Sequence, residues 1–264
     1  EMITSIIAND RYKYFSILIA ENNCSYLVCH STKFILGNLL TNNNSSLPDT
    51  SNWRMFRQNP GHTAFVTGNN RLSEGVLKWQ YFAQAFSDSS PAVVDGRLFV
   101  GTAGQTIVAL DAETGSLIWQ HKVSGPVDSS IAVIEDLLYV GLRDGNVLAL
   151  DVENGHKRWS FRTDGPIYGS PSVDGGVVFI GSGDSKVYAI DAVDGTKRWV
   201  FQAKRPISSS LAVNQEVVVV TSEDRFVYIL DRSNGRVLMD FRISTSSHSP
   251  VLVGSQLFLS EGLR

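Results

Sequence analysis

Four tryptophans, Trp79, Trp119, Trp159 and Trp199, recur every 40 residues, and Met239 takes the next place in the series. Gly75, Gly115, Gly155, Gly195 and Gly235 keep the same step, as do Asp111, Asp151, Asp191 and Asp231. Three series in one register predict repeated supersecondary units, each unable to bury its apolar face without its neighbours. A period of this length restricts the architecture to a solenoid or a propeller.

Within a unit the pattern is all strand. Residues 170–201 read as four short runs of β-branched and aromatic residues, separated by Gly- and Asp-rich turns. No window holds the three-to-four-residue apolar period for as long as a helix needs. Four strands in about 40 residues is the size of one propeller blade. The fold class expected is therefore all-β: a β-propeller of four-stranded antiparallel blades. Complete blades are expected at 89–121, 129–161, 169–201 and 209–241, with partial ones at 76–82 and 249–259. At the last of these Ser249-Pro250 matches Ser90-Pro91 at a spacing of 159, one residue short of the repeat.

Each repeated residue has a physical reason. In the turn between the third and fourth strands, as in Asp151-Val-Glu-Asn-Gly155, the Asp carboxylate accepts backbone N–H groups and the Gly takes a left-handed conformation. The Trp four residues later fills the wedge that opens between radially arranged sheets. Asp144, Asp184 and Asp224 sit in the hairpins between second and third strands and read as turn residues too. Equivalent positions on different blades point around a circumference, so neither acidic series forms a metal ring. The sequence assigns no catalytic and no metal-ligating residue.

Residues 1–50 read as a tail and linker apart from the propeller of 51–264. The run Tyr14–Ala20 behind Arg11 and Lys13 has the outline of a secretory signal, but it is short and Glu21-Asn22-Asn23 follows in place of a cleavage site. Residues 41–50 are polar and linker-like. Cys24 and Cys29 have neither redox-motif nor zinc-site spacing and read as free thiols. Asn23, Asn43 and Asn44 begin N-x-[ST] triplets, which matter only in a chain exported from a eukaryotic cell. The net charge of -3 offers no basic stripe for nucleic acid, and no apolar run is long enough for a membrane helix.

The segments 109–119, 149–159 and 189–199, each running Ala-Leu/Ile-Asp to Gly and on to Trp, resemble the repeat of the pyrroloquinoline-quinone-like β-propellers. The stretch Asn52–Thr63 is similar to the one that opens such domains. In WD40 propellers the Trp-Asp pair lies inside the blade, whereas here Asp precedes Trp by eight residues. Kelch units would pair glycines at a strand end in every repeat, and only Gly175-Gly176 does. The resemblance implies seven or eight blades, so the chain is expected to be a fragment of a larger propeller; a closed five-bladed ring is the other arrangement that the repeat allows.

The family includes quinoprotein dehydrogenases, an outer-membrane assembly lipoprotein and sensor domains, and a shared fold does not choose among them. The dehydrogenases would bring pyrroloquinoline quinone and calcium, with an adjacent Cys-Cys pair and long insertions that this chain lacks. The leading expectation is a protein-binding or scaffold module that uses a propeller face or an open blade edge, without cofactor. A quinone-dependent oxidoreductase fragment and a sensory domain are the alternatives. Phe82, Phe86, Tyr168, Arg205 and His248 precede or begin inner strands and are candidates to face one end of the axial channel. The resemblance favours an extracytoplasmic location.

Overall fold

A computed structural model describes residues 54–56, 59–60, 79–83, 85–244, 248–253 and 256–259, together with strand backbones at Phe15–Ile17, Ser25–His30, Lys33–Leu40 and Arg71–Leu72. Cys24, the linker 41–50, the Asn triplets and the side chains of 14–20 and Cys29 lie outside the described residues.

Four antiparallel sheets of four strands follow one another, each with its strands in chain order. The first blade comprises Ala92–Val94, Arg97–Thr102, Thr106–Asp111 and Leu117–Lys122; the second Ala132–Ile134, Leu137–Gly141, Asn146–Asp151 and Lys157–Arg162. The third is built from Ser172–Asp174, Val177–Gly181, Lys186–Asp191 and Lys197–Gln202, the fourth from Ala212–Val213, Val217–Thr221, Phe226–Asp231 and Val237–Arg242. The strands start about three residues later than the repeat suggests. The Ser-Pro or Ser-apolar pairs before them are used to join blades instead.

Those serines tie the inner strands around the axis. The Ser90 N–H donates to Ser130 Oγ at 3.1 Å, Ser130 to Ser170 at 2.9 Å and Ser170 to Ser210 at 2.9 Å. Ser210 then donates to Ser249 Oγ at 3.1 Å, so the one-residue slip is absorbed before the half-blade Val251–Val253/Gln256–Phe258.

Second and third strands are buried on both sides because each sheet is covered by two neighbours, and Leu138, Val140, Val147 and Ala149 are all fully buried. The outermost strands keep the alternation of a half-solvated strand, with Trp inward. A bulge precedes Trp119, Trp159 and Trp199; in the second and third blades the extra residue, Arg158 or Arg198, bonds back to Asp151 or Asp191 of its own turn.

The tryptophans dock on the next blade. The Trp159 indole N–H donates to Ala192 O at 2.9 Å, Trp119 to Val152 O at 2.9 Å and Trp199 to Arg232 O at 2.8 Å. Each ring also lies flat against the glycine of that turn. A Cβ on Gly195 would fall 2.8 Å from the Trp159 ring, and one on Gly155 2.7 Å from Trp119. With φ at +76° and +69°, these glycines are required by conformation and by space.

The chain before the blades also pairs. Phe15–Ile17 runs antiparallel to Trp79–Tyr81, and Ser25–His30, Lys33–Leu40 and Arg71–Leu72 form a three-stranded sheet. The opening stretch reaches inner strands: Val133 N–H donates to Arg54 O at 2.7 Å and Val213 N–H to Pro60 O at 2.8 Å. Met55, 3% exposed, joins the core of the second and third blades. Arg54 and Pro60 thus bond to the first strands of the second and fourth blades. Among the described residues no helix is long and apolar enough to cross a membrane.

Trp159→Ala is expected to destabilise the protein by about 3–5 kcal/mol in urea titration, as cavities of this size do. Gly195→Ala should cost about 1–3 kcal/mol from its φ alone, with the ring overlap added. Combined with Trp159→Ala it should cost less than the sum, because the overlap is gone. Strict additivity would disprove the docking contact.

Candidate functional site

In an antiparallel blade, the connections from fourth to next first strand share one end with the second-to-third hairpins. First-to-second hairpins and the Asp-to-Gly turns share the other. Phe82, Phe86 and Tyr168 are 50%, 46% and 44% exposed at the connection end, and Arg205 and His248 are exposed there too. Phe82 and Phe86 share the connection into the first blade, while Tyr168, Arg205 and His248 lie in those into the third blade, the fourth and the half-blade, so the set stands around this end instead of converging. Also at this end, Arg143 Nε donates to Asp128 Oδ2 at 2.6 Å, while buried Oδ1 has no partner among the described residues.

The repeated aspartates are engaged within their own turns. Asp151 Oδ1 accepts the N–H groups of Glu153 at 2.9 Å and Asn154 at 3.2 Å, and Oδ2 accepts Arg158 at 2.6 Å. Burial works to raise its pKa, but these donors outweigh it and hold the carboxyl below the usual range. Arg198 does the same for Asp191, as the Ser233 hydroxyl and N–H do for Asp231. Asp184 and Asp224 accept N–H groups of Lys186 and Phe226 and the hydroxyls of Tyr188 and Tyr228. Among the described residues, no three His, Cys, Asp or Glu side chains gather where they could hold a metal ion.

At the opposite end, a cavity of about 300 Å³ opens between the second and third blades. Its walls are Leu137, Tyr139, Ala192 and Val193, with Glu135 and Asp136 at the hairpin. The Tyr139 hydroxyl donates to Ala192 O at 3.1 Å, sharing that acceptor with Trp159. Burial, then the charges of Asp136 and Glu135, push the phenol up to about 12. Arg158 at the edge is paired with Asp151. The sequence reading missed this cavity. The available signal was the hairpin itself: where the first and third blades carry Asp95-Gly96 and Gly175-Gly176, the second has Glu135-Asp136, with Glu135 held at φ +54°.

Residues 53–261 match the family model described as outer membrane protein assembly factor BamB. Among solved structures, the chain is similar to BamB from Moraxella catarrhalis, at 20% identity and a TM-score of 0.62, covering 69% of this chain and 60% of that one. It is also similar to the quinohemoprotein alcohol dehydrogenase of Comamonas testosteroni, at 18% identity and a TM-score of 0.64, covering 78% and 44%. A europium-containing methanol dehydrogenase matches at 19% and 0.56, covering 64% and 45%. The chain therefore spans well under two thirds of the length of these proteins, and at such identities the likeness is one of fold. No protein of curated function matches in sequence.

Because Asp151, Asp191 and Asp231 titrate lower when folded, the unfolded chain takes up their protons first as the pH falls. Their stabilisation is complete above the unfolded carboxyl pKa of about 4 and disappears as the pH drops through the folded values. Urea midpoints should thus be level from pH 7 to about 5 and decline below about 4. Replacing the three by Asn should lower the neutral midpoint and flatten that decline; an unchanged acid slope would refute the assignment.

Proposed function

Since the chain belongs to the family of the outer membrane protein assembly factor BamB, we propose that it is a protein-binding propeller module that performs no chemistry of its own. The observation that carries this reading is how the blades distribute their polar groups. The repeated carboxylates are consumed by turns on separate blades, while exposed aromatic side chains and an open inter-blade cavity stand on a rigid frame. A rigid frame lowers the ordering cost of association, so a few well-placed groups suffice to hold a partner.

A quinone–calcium centre would need carboxylates free to converge on an ion and a base set against the substrate. Asp111, Asp151, Asp191 and Asp231 do not fit that requirement, each being hydrogen-bonded within its own turn. A protein partner, reached through a blade end or edge, fits the exposed residues better than nucleic acid, given a net charge of -3. The family's name supports an extracytoplasmic site of action beside an outer membrane.

Calorimetry with pyrroloquinoline quinone and calcium is expected to show no saturable binding tighter than about 100 μM, roughly 5.5 kcal/mol. A photo-crosslinker at position 86 or 168 should give a discrete adduct with one protein of the extracytoplasmic fraction. A tight one-to-one quinone isotherm with dye reduction by an alcohol would replace this reading with an oxidoreductase.

A further inference from the structure

The three junctions between the four blades are built on one plan, and they differ in what fills the space beside the docked tryptophan. Between the third and fourth blades it is filled by an arginine. Arg232, directly after the turn aspartate Asp231, reaches back to the Asp174 carboxylate, to Asp174 O at 2.9 Å and to Asn214 O at 2.7 Å. Its guanidinium carbon stands 5.6 Å from the centroid of the Phe179 ring. Between the first and second blades Val152 takes the place of Arg232, and a second arginine closes the opening. Arg97 makes two parallel bonds to Glu153, at 2.5 and 2.8 Å.

Between the second and third blades neither arginine exists. Ala192 stands where Arg232 does, Leu137 where Arg97 does, and Val193 where Glu153 does. The rest of the cradle is kept. Tyr139 presents an aromatic ring at the position of Phe179, and the carbonyls of Ile134 and Asp174 repeat those of Asp174 and Asn214. What remains is the cavity of about 300 Å³. Ile134 replaces the Asp174 carboxylate, but Glu135 and Asp136 follow at once, and neither side chain accepts a hydrogen bond from a described residue. The other charges at the mouth are committed, Arg158 to Asp151 and Asp174 to Arg232.

We propose that this cavity receives an arginine side chain of a partner polypeptide, completing from outside the contact that Arg232 makes from within. This rests on the protein-binding reading and adds the chemistry of the anchor. A guanidinium suits the place better than an ammonium. Its planar fork donates to carbonyls and a carboxylate at once, and its face stacks on an aromatic ring. Burial is the main cause of the raised Tyr139 pKa, and the smaller contributions of Asp136 and Glu135 have the sign that an incoming cation would relieve.

The test is titration of the whole chain with N-acetyl-arginine amide, followed by NMR at the Ala192 methyl and the Tyr139 ring. Saturable shifts are expected. N-acetyl-citrulline amide, nearly the same shape without the charge, should bind at least about tenfold more weakly. Ala192→Arg should abolish binding by supplying the guanidinium internally. If that variant fails to fold, the double variant Glu135→Gln/Asp136→Asn should weaken binding by about tenfold or more. Absent saturation, equal binding of citrulline, or binding untouched by a folded variant would each overturn the proposal. Absence of amide binding while a partner still crosslinks at position 193, at the cavity mouth, would sink the anchor alone; amide binding with no partner crosslinked at 193, 86 or 168 would sink the protein-binding reading.

Discussion

The propeller depends on the seating of an indole from one blade on the Asp-to-Gly turn of the next. A blade by itself is a small sheet with two apolar faces, and its middle strands leave water only when flanked on both sides. The tryptophan supplies a large apolar surface at the rim, where radial sheets are furthest apart, and its N–H anchors it to a backbone carbonyl. The turn contributes flatness: the left-handed glycine has no side chain to hold the ring away. Met239 shows the converse. It has the tryptophan's place on the fourth blade, meets no turn among the described residues and is 58% exposed.

This explains which parts of the architecture were legible in the sequence. Strand number, turn chemistry and blade order are local properties, written within each 40-residue unit in β-branched runs and Asp-to-Gly turns. That Gly155 and Trp119 are two sides of one contact was not local, since each had a sufficient reason of its own. The bonds of Arg54 and Pro60 to the blades were hidden as well, because their partners Val133 and Val213 are ordinary strand residues donating backbone N–H groups that no side chain announces. The front strand Phe15–Ile17, paired with Trp79–Tyr81, likewise has no repeat to mark it.

The cavity was illegible for the opposite reason. A periodic reading rewards agreement with the repeat, and the cavity is made of departures from it: Ala192, Leu137 and Val193 in places that carry Arg232, Arg97 and Glu153 in neighbouring units. Each looks like an unremarkable apolar substitution. Only when blades stand side by side do the three fall into one junction. Repetition sets the frame, and its exceptions set apart one junction from another.

The reach of Arg54 and Pro60 to two separate blades has a bearing on how the molecule is made. Residues 54–60 leave the ribosome before the four complete blades described above, yet the Pro60 carbonyl finds its donor at Val213, in the fourth. At ordinary elongation rates that separation is on the order of ten to thirty seconds of synthesis. Throughout that interval the second blade can form around Met55 while the other end of the segment waits. One end of the segment is thus fixed with the second blade and the other only with the fourth, so blades far apart in the chain are held to a single short stretch that precedes them both.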